Sequence, residues 1–328
     1  MSALLIWWVL HDVSLVEVWG HMRNVRWIPF LSAIGLATLT FPLRTVRWRY
    51  LLRLEGATLQ FVPLWHATAI GFMTTNLLPA RAGELARAYA ARRLTGSRFT
   101  AAFGSIAIER VFDGVTLVAL LAVAAWAGGF GADTSVGNAT LGEISRAAAI
   151  LFILALLIAV AVVHWPKPAI AASRAVSRRL LPKAWAGRAV HTVEGVLSGL
   201  DALRSIGRFT AVVGWSLVVW LTAASSYWLA LDAFGIEVPW SAALMLQALL
   251  AFGVAVQFSP GFFGQWEAVC RVTLGLYGVA PGHAVSFAIG VHVGGFVPIT
   301  ALGLWSLYRA HLHLADLRAG NGEAGNAQ

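Results

Sequence analysis

Two short stretches of charge stand out from an apolar background: Arg81, Glu84 and Arg87, then Glu109, Arg110 and Asp113. On a helix, Arg81 and Glu84 share a face, as do Glu84 and Arg87, because residues three apart are neighbours on its surface. Glu109 and Asp113, four apart, share another face. Charge this close to hydrocarbon is costly, so it lines a cavity or is paired. An arginine fork suits phosphate, which it meets with two parallel charge-assisted hydrogen bonds. One reading is therefore an anionic headgroup held by Arg81, Arg87 or Arg110, with the carboxylates orienting the arginines or accepting an amine. The other is a network of ion pairs that locks two helices together. Spacing favours neither.

A second charged pair, Glu267 and Arg271, is four apart within an apolar segment, where pairing would lower the cost of burying both. His292 lies in the last apolar segment, flanked by Gly290 and Gly294 in a small-xxx-small pattern that suits close helix packing. A lone histidine there is expected to be a satisfied core group. Catalytic signals are missing: the chain has no GxxxxGK[ST] nucleotide loop, no GxSxG elbow and no HExxH. His311 and His313 lack the further ligands of a zinc site. The expectation is a protein that is not an enzyme and holds no metal or cofactor.

The elements that position these residues follow from composition. Of 328 residues, 59% are hydrophobic and 12% charged, with a mean hydropathy of +0.73. A soluble domain carries about 25% charged residues. Apolar segments fall near 1–20, 27–46, 62–79, 103–130, 147–165, 209–233, 240–258, 262–280 and 284–308, several of them near the roughly 20 residues of a bilayer crossing. The fold class expected is an all-α polytopic membrane protein of seven to nine helical segments. Cys270 is the single cysteine, so no intramolecular disulfide forms. The net charge of +9 comes almost wholly from arginine, as Lys167 and Lys183 are the sole lysines. Basic loops facing anionic lipid account for that charge, and nucleic acid is not an expected partner.

Basic residues set the orientation. Arg44, Arg47, Arg49 and Arg53 follow the second segment, and Arg81, Arg87, Arg92, Arg93 and Arg98 follow the third. Both ends of 62–79 are thus cytoplasmic by the positive-inside rule. One span cannot enter and leave on the same side, so the chain must turn back within the membrane. Asn76, Pro79 and Gly83 mark that turn. The same logic, with Pro260, Gly261 and Gly264, gives a second hairpin opening to the outside. Two broken segments at corresponding places in two halves mark an inverted-repeat transporter, with its site between the breaks. The whole of 1–318 reads as one transmembrane domain. Its halves, 1–165 and 209–310, are joined by a basic amphipathic stretch, 166–208, on the cytoplasmic surface. Residues 319–328 read as a disordered tail.

The ordered motifs resemble a known family. Asn76-Leu-Leu-Pro79-Ala-Arg81-Ala-Gly83-Glu84-Leu-Ala-Arg87, followed by Glu109-Arg110-Val-Phe-Asp113, is similar to the signature of the lysylphosphatidylglycerol synthase transmembrane family, also called flippase-like domain proteins. Ser259-Pro260-Gly261-Phe-Phe-Gly264-Gln-Trp-Glu267 resembles its second element, Arg47-Trp48-Arg49 an arginine-tryptophan pair, and His292 a histidine of its final helix. Phe262-Phe263 departs from the small residues usual after the Pro-Gly. The resemblance covers nearly the whole chain and corresponds to the membrane half of those synthases, so lysyl transfer is not implied.

The resemblance implies a bacterial inner-membrane lipid translocase. Its partners would be anionic or aminoacylated phospholipid, hopanoid or glycan-lipid; self-association into a homo-oligomer is left open. Arg81, Arg87 and Arg110 would contact phosphate, with Glu84, Glu109 and Asp113 positioning them and Glu267 contributing from the other half. Asn76, Pro79, Gly83, Pro260, Gly261 and Gly264 would form the breaks, with His292 and Arg271 as further candidates. A secondary transporter of a small anion and a membrane scaffold for a partner enzyme are the alternatives.

Overall fold

The computed structural model describes residues 2–52, 59–79, 82–165, a few positions between 167 and 175, and 205–312. The basic stretch 166–208 falls almost entirely outside the described residues, as do Arg81 and the tail 319–328.

The long apolar runs become long helices, two of which continue through an interior proline, Pro42 and Pro298. The long helices are α3 (Trp27–Leu51), α6 (Phe99–Gly128), α7 (Leu141–His164), α8 (Ile206–Ala233) and α11 (Pro281–Arg309). All five are long and apolar enough to cross a bilayer. Along α7, Ile150, Leu151, Leu154, Leu157 and Ile158 are more than half exposed. A stripe of this size cannot face water stably, and lipid is the solvent that covers it. Exposed aromatics sit at helix ends: Trp27 opens α3, Trp126 lies near the end of α6, Trp165 follows α7 and Tyr308 closes α11. That is the interfacial position where amphipathic rings belong. The chain is a multi-pass membrane protein.

The remaining helices are too short to cross. α4 (Phe61–Leu77) has 17 residues and α5 (Ala82–Thr95) has 14, or about 25 and 21 Å at 1.5 Å per residue. They pack antiparallel, Gly71 of α4 lying against Arg87 of α5 and Thr75 against Gly83. α9 (Trp240–Gly253) and α10 (Gln265–Gly275) form a second antiparallel pair, Gly253 lying against Val269. Between α9 and α10 the chain makes a 3-10 turn, Pro260–Phe262. Gly261 and Gly264 there have φ of +62° and +87°, a region glycine enters freely. Phe262 shares it at +62°, uncommon for a bulky side chain.

Each half therefore reads long helix, broken hairpin, long helix: α3, α4–α5, α6, and then α8, α9–α10, α11. The packing repeats under exchange of the halves. α4 packs on α11 as α9 packs on α6, α5 on α6 as α10 on α11, and α3 on α8. α3 and α8 run antiparallel, since Arg26 bonds Asp232 at one end and Arg47 bonds Ser216 towards the other. Helices that exchange under the repeat yet run antiparallel are the geometry of inverted topology.

Several boundaries differ from the sequence reading: α3 runs on to Leu51, α7 begins at Leu141 and α9 ends at Gly253. The apolar stretch 1–20 is two short helices, α1 (Ser2–Leu10) and α2 (Leu15–Arg23), because His11–Ser14 turns and the Ser14 hydroxyl caps α2 by accepting from the Glu17 N–H. The stretch 262–280 contains only the 11 residues of α10 as α-helix. Between α6 and α7, Ser135–Val136 and Ala139–Thr140 form a two-stranded hairpin, and Thr140 and Glu143 make a reciprocal capping box at the start of α7.

Arg271 does not pair with Glu267. It donates to Asp12 at 2.5 Å and to the carbonyls of Trp8 and Val9 at 3.1 and 2.7 Å, closing the end of α1 onto α10. Asp12 lies in the turn between α1 and α2. Its hydrogen bond from Arg271 holds the carboxyl below its ordinary value of 3.8. A depressed folded value contributes stability above the unfolded value and loses it as pH falls through the folded one. Amide protection in α1, relative to the unstructured rate at each pH, is thus expected to fall as pH drops below 3.8. Arg271→Ala should give the low protection at every pH. Equal protection in wild type above and below that range would contradict the anchor.

Candidate functional site

The two charged stretches converge with a third that spacing alone did not connect. Arg44 and Arg47, near the end of α3, meet Glu109, Arg110 and Asp113 of α6 and Arg87 of α5. Glu109 is fully buried. Arg87 grips it with two bonds, Nη1 to Oε1 at 3.0 Å and Nη2 to Oε2 at 3.1 Å. Arg110 Nη2 reaches Oε1 at 2.6 Å, and Arg47 Nη2 lies 3.2 Å from the same oxygen. Asp113 accepts from Arg47 at 2.5 Å and from the Trp220 indole at 2.8 Å, with Arg110 and Arg44 at 3.1 and 3.5 Å. Arg87 also lies over the Trp48 ring, 3.9 Å from its centroid, while Trp48 donates to Ser105.

Among the described residues this cluster sets four guanidinium groups against two carboxylates. The excess is two positive charges, of which Glu84 nearby offsets one. Arg47 Nε and Arg110 Nε are buried without a hydrogen-bond partner. A buried guanidinium excess is costly unless an anion comes to it.

Arg110 is the member that can meet one. Its side chain is 31% exposed, whereas those of Arg47 and Arg87 are 0% and 4% exposed. Glu84, Arg87 and Arg110 border a cavity of about 150 Å³, together with Thr75, Asn76 and Gly83. A larger cavity of about 290 Å³ lies beside it, walled mostly by apolar side chains of α3, α8, α9 and α11. Its polar members include Thr40, Arg44, Asn76, Gln247 and His292. Phe72, Asn76 and Phe262 border both cavities and stand between them.

The two breaks meet at this boundary. Gln257, ahead of the second break, donates to the carbonyls of Thr75 and Leu78 at 2.9 and 3.2 Å. Asn76, ahead of the first, donates to Thr300 Oγ1 on α11 at 3.0 Å. Each amide stands three residues before its proline, Pro79 or Pro260, and reaches into the opposite half. That repeated spacing was visible in the sequence and marks both residues. It also revises Asn76: it lies inside α4 and clasps α11, while the helix ends at Leu77.

The other expected site residues divide. Gly83 lies inside α5 and lets α4 approach; a Cβ there would stand 2.0 Å from Thr75 Oγ1. Pro79, Pro260, Gly261 and Gly264 shape the breaks and border neither cavity. Glu109 and Asp113 sit behind the arginines, in the role of holding them. Glu267 accepts the Gly264 N–H at 2.7 Å and bonds His292 at 2.6 Å, so it reaches the large cavity through His292. Sequence reasoning used Arg44 and Arg47 for orientation, and Arg47 for the resemblance, without placing either at the site, and it missed Trp220 and Gln257 as site residues. Among the described residues no group of three histidine, cysteine or acidic side chains could hold a metal ion.

Comparison with known proteins gives the same frame. A 92-residue stretch is 34% identical to the protein named glycosyltransferase AglD of Haloferax volcanii, covering 28% of this chain and 15% of that one. The match thus spans a small part of that relative's length. No solved structure matches the chain. The family model for the lysylphosphatidylglycerol synthase transmembrane region matches residues 1–303. With that match running through both broken hairpins, the chain belongs to the family of the lysylphosphatidylglycerol synthase transmembrane region.

Proposed function

We propose that the protein is a translocase for a lipid with an anionic headgroup in a bacterial inner membrane. The observation that carries this reading is the buried guanidinium excess, which opens through Arg110 onto a small cavity shared with Glu84 and Arg87, beside a larger, mostly apolar one. Headgroup phosphate would bind at Arg110, with Glu84 at the same wall to receive an amine where the headgroup carries one. The apolar walls of the larger cavity favour an amphiphile over a small soluble anion. Five crossings and two hairpins keep the charge rule: the first hairpin would open to the cytoplasm and the second to the outside.

Bond-making is not part of this reading. Every carboxylate of the cluster is engaged by arginines, which leaves neither Glu109 nor Asp113 as a ready base. The stretch shared with a protein named a glycosyltransferase is too small a part of that protein to bring its chemistry here.

Binding of short-chain phosphatidylglycerol to the purified protein tests the assignment. Arg110→Gln should weaken it about tenfold or more, the worth of one charge-assisted hydrogen bond, without unfolding the protein. Unchanged affinity would remove Arg110 from the site. Inorganic phosphate competing as well as the lipid would favour a small-anion transporter.

A further inference from the structure

His292 makes two bonds that fix the number of protons it shares with Glu267. Its Nδ1 lies 2.6 Å from Glu267 Oε1, and its Nε2 lies 2.8 Å from the carbonyl oxygen of Gly261. A carbonyl oxygen only accepts, so Nε2 must carry a proton. The Nδ1 bond needs a second proton, whether it rides on the imidazole or on the carboxyl. The other carboxyl oxygen is occupied by the Gly264 N–H. The pair therefore holds two protons in this structure. The surroundings favour placing both on the ring. His292 is stacked on Trp266 at 4.9 Å and faces Phe263 at 4.7 Å, and aromatic faces attract a cation.

We infer that His292 and Glu267 form a proton-binding site that latches the second break to α11, and that loss of one proton releases the latch. The balance is simple. The two-proton pair is neutral as a whole; one proton leaves for the large cavity, which His292 borders, and the pair becomes singly negative. The remaining proton stays between Nδ1 and the carboxylate, where it is most strongly held. Nε2 then presents a lone pair to the Gly261 oxygen. Two buried acceptors facing each other repel, and the Gly261 contact opens.

Gly261 precedes Phe262, which stands between the two cavities in a left-handed conformation. Release of Gly261 frees Phe262 to leave that conformation and joins the headgroup cavity to the apolar one. A proton gradient would thereby act on the passage. This last use rests on the translocase reading, while the latch does not.

Other groups around the pair are accounted for. On α10, Cys270 lies one turn beyond Glu267, and Arg271 is tied to Asp12 and the end of α1. On α8, the Tyr227 ring lies 6.3 Å from that of Trp266. From α3, Arg44 borders the same cavity as His292. On α11 itself, His283 is bonded to the Phe234 carbonyl.

The test uses the full chain in lipid nanodiscs and needs no transport. Histidine ring nitrogens are followed by nitrogen-15 solid-state NMR between about pH 5 and 9, with His292→Gln identifying the signal. Amide protection at Phe262, that is, exchange relative to the unstructured rate at the same pH, is measured over the same range. The expected result is a His292 that carries protons on both nitrogens at low pH and loses one on raising pH. In the same step, protection at Phe262 should fall about tenfold or more, the worth of one charge-assisted bond. His292→Gln should abolish the pH dependence of that protection. A His292 signal unchanged over the range, or a titration that leaves protection at Phe262 unchanged, overturns the proposal. Lipid exchange that fails in liposomes would count against the translocase reading and not against the latch.

Discussion

Replacing Glu109 by alanine is expected to cost about 3–5 kcal/mol of stability, the range for removing one partner of a buried ion pair. Glu109 is fully buried and contacts three guanidinium groups: Arg87 through two bonds, Arg110 through one and Arg47 through a close contact. Without it, Arg87 keeps the Trp48 face but no carboxylate, and the positive excess of the cluster grows by one. α3, α5 and α6 all enter this contact, so the loss falls on the junction between the first hairpin and the helices around it. Reversible unfolding in mixed detergent micelles measures the effect. Arg110→Gln is the matched control: it leaves Glu109 with Arg47 and Arg87 and should cost far less. A Glu109→Ala protein within about 1 kcal/mol of wild type would mean that the cluster does not hold the hairpin.

Gly83→Val should be comparably damaging for a different reason. The first atom added at Gly83 would lie 2.0 Å from Thr75 Oγ1, 2.1 Å from the Gly71 carbonyl oxygen and 2.7 Å from the Thr75 backbone nitrogen. Two of those three atoms are backbone and cannot turn aside, so α4 and α5 must separate. Overpacking of a tight contact costs about 1–3 kcal/mol and more where backbone must move. The separation also carries Glu84 and Arg87 away from α4, which should open the small cavity and abolish headgroup binding. Gly214→Ala on α8, where a Cβ meets nothing within 4 Å, should leave stability unchanged or raise it by about 0.5–1 kcal/mol through helix propensity. If Gly83→Val retains wild-type stability and phosphatidylglycerol affinity, the close approach of α4 and α5 is not needed for the site.

The helices were legible where one physical signal dominated. Apolar runs gave α6, α7, α8 and α11 to within a few residues, and proline with glycine marked both breaks. The orientation conflict around 62–79 gave the expectation of a chain reversal there, and α4 and α5 pack antiparallel. The partners of the charges were not legible in the same way. Helical spacing shows which residues share a face, and on that ground Glu267 and Arg271 looked like a pair. Each found a better partner on another element, His292 for Glu267 and Asp12 for Arg271. Arg44 and Arg47 served only as orientation charges because they stand at the end of an apolar run, yet α3 continues to Leu51 and buries both. Their spacing of three matches one helix face, as the spacing of Glu109 and Asp113 matches another. That the two faces meet is a tertiary fact some 66 residues apart in the chain, beyond what local pattern carries.

The pairing of the two helical hairpins explains why the cavities lie where they do. The helices of each hairpin are too short to cross a bilayer, and the chain between them has a break that cannot satisfy its own backbone groups as a helix would. Irregular backbone inside a membrane is tolerated where protein or a wet cavity covers it. Here the amide of Gln257 covers the carbonyls of the first break, and Asn76 clasps the opposite half in return. The two breaks cover one another, and the cavities form beside them.

Leaflet exchange of a labelled anionic phospholipid in liposomes tests the central claim most directly. Wild-type protein should speed exchange over protein-free liposomes, with a pH gradient imposed where needed. Folded Arg110→Gln should slow that exchange about tenfold or more. Wild type no faster than empty liposomes under a gradient of either sign, or Arg110→Gln as fast as wild type, would contradict it.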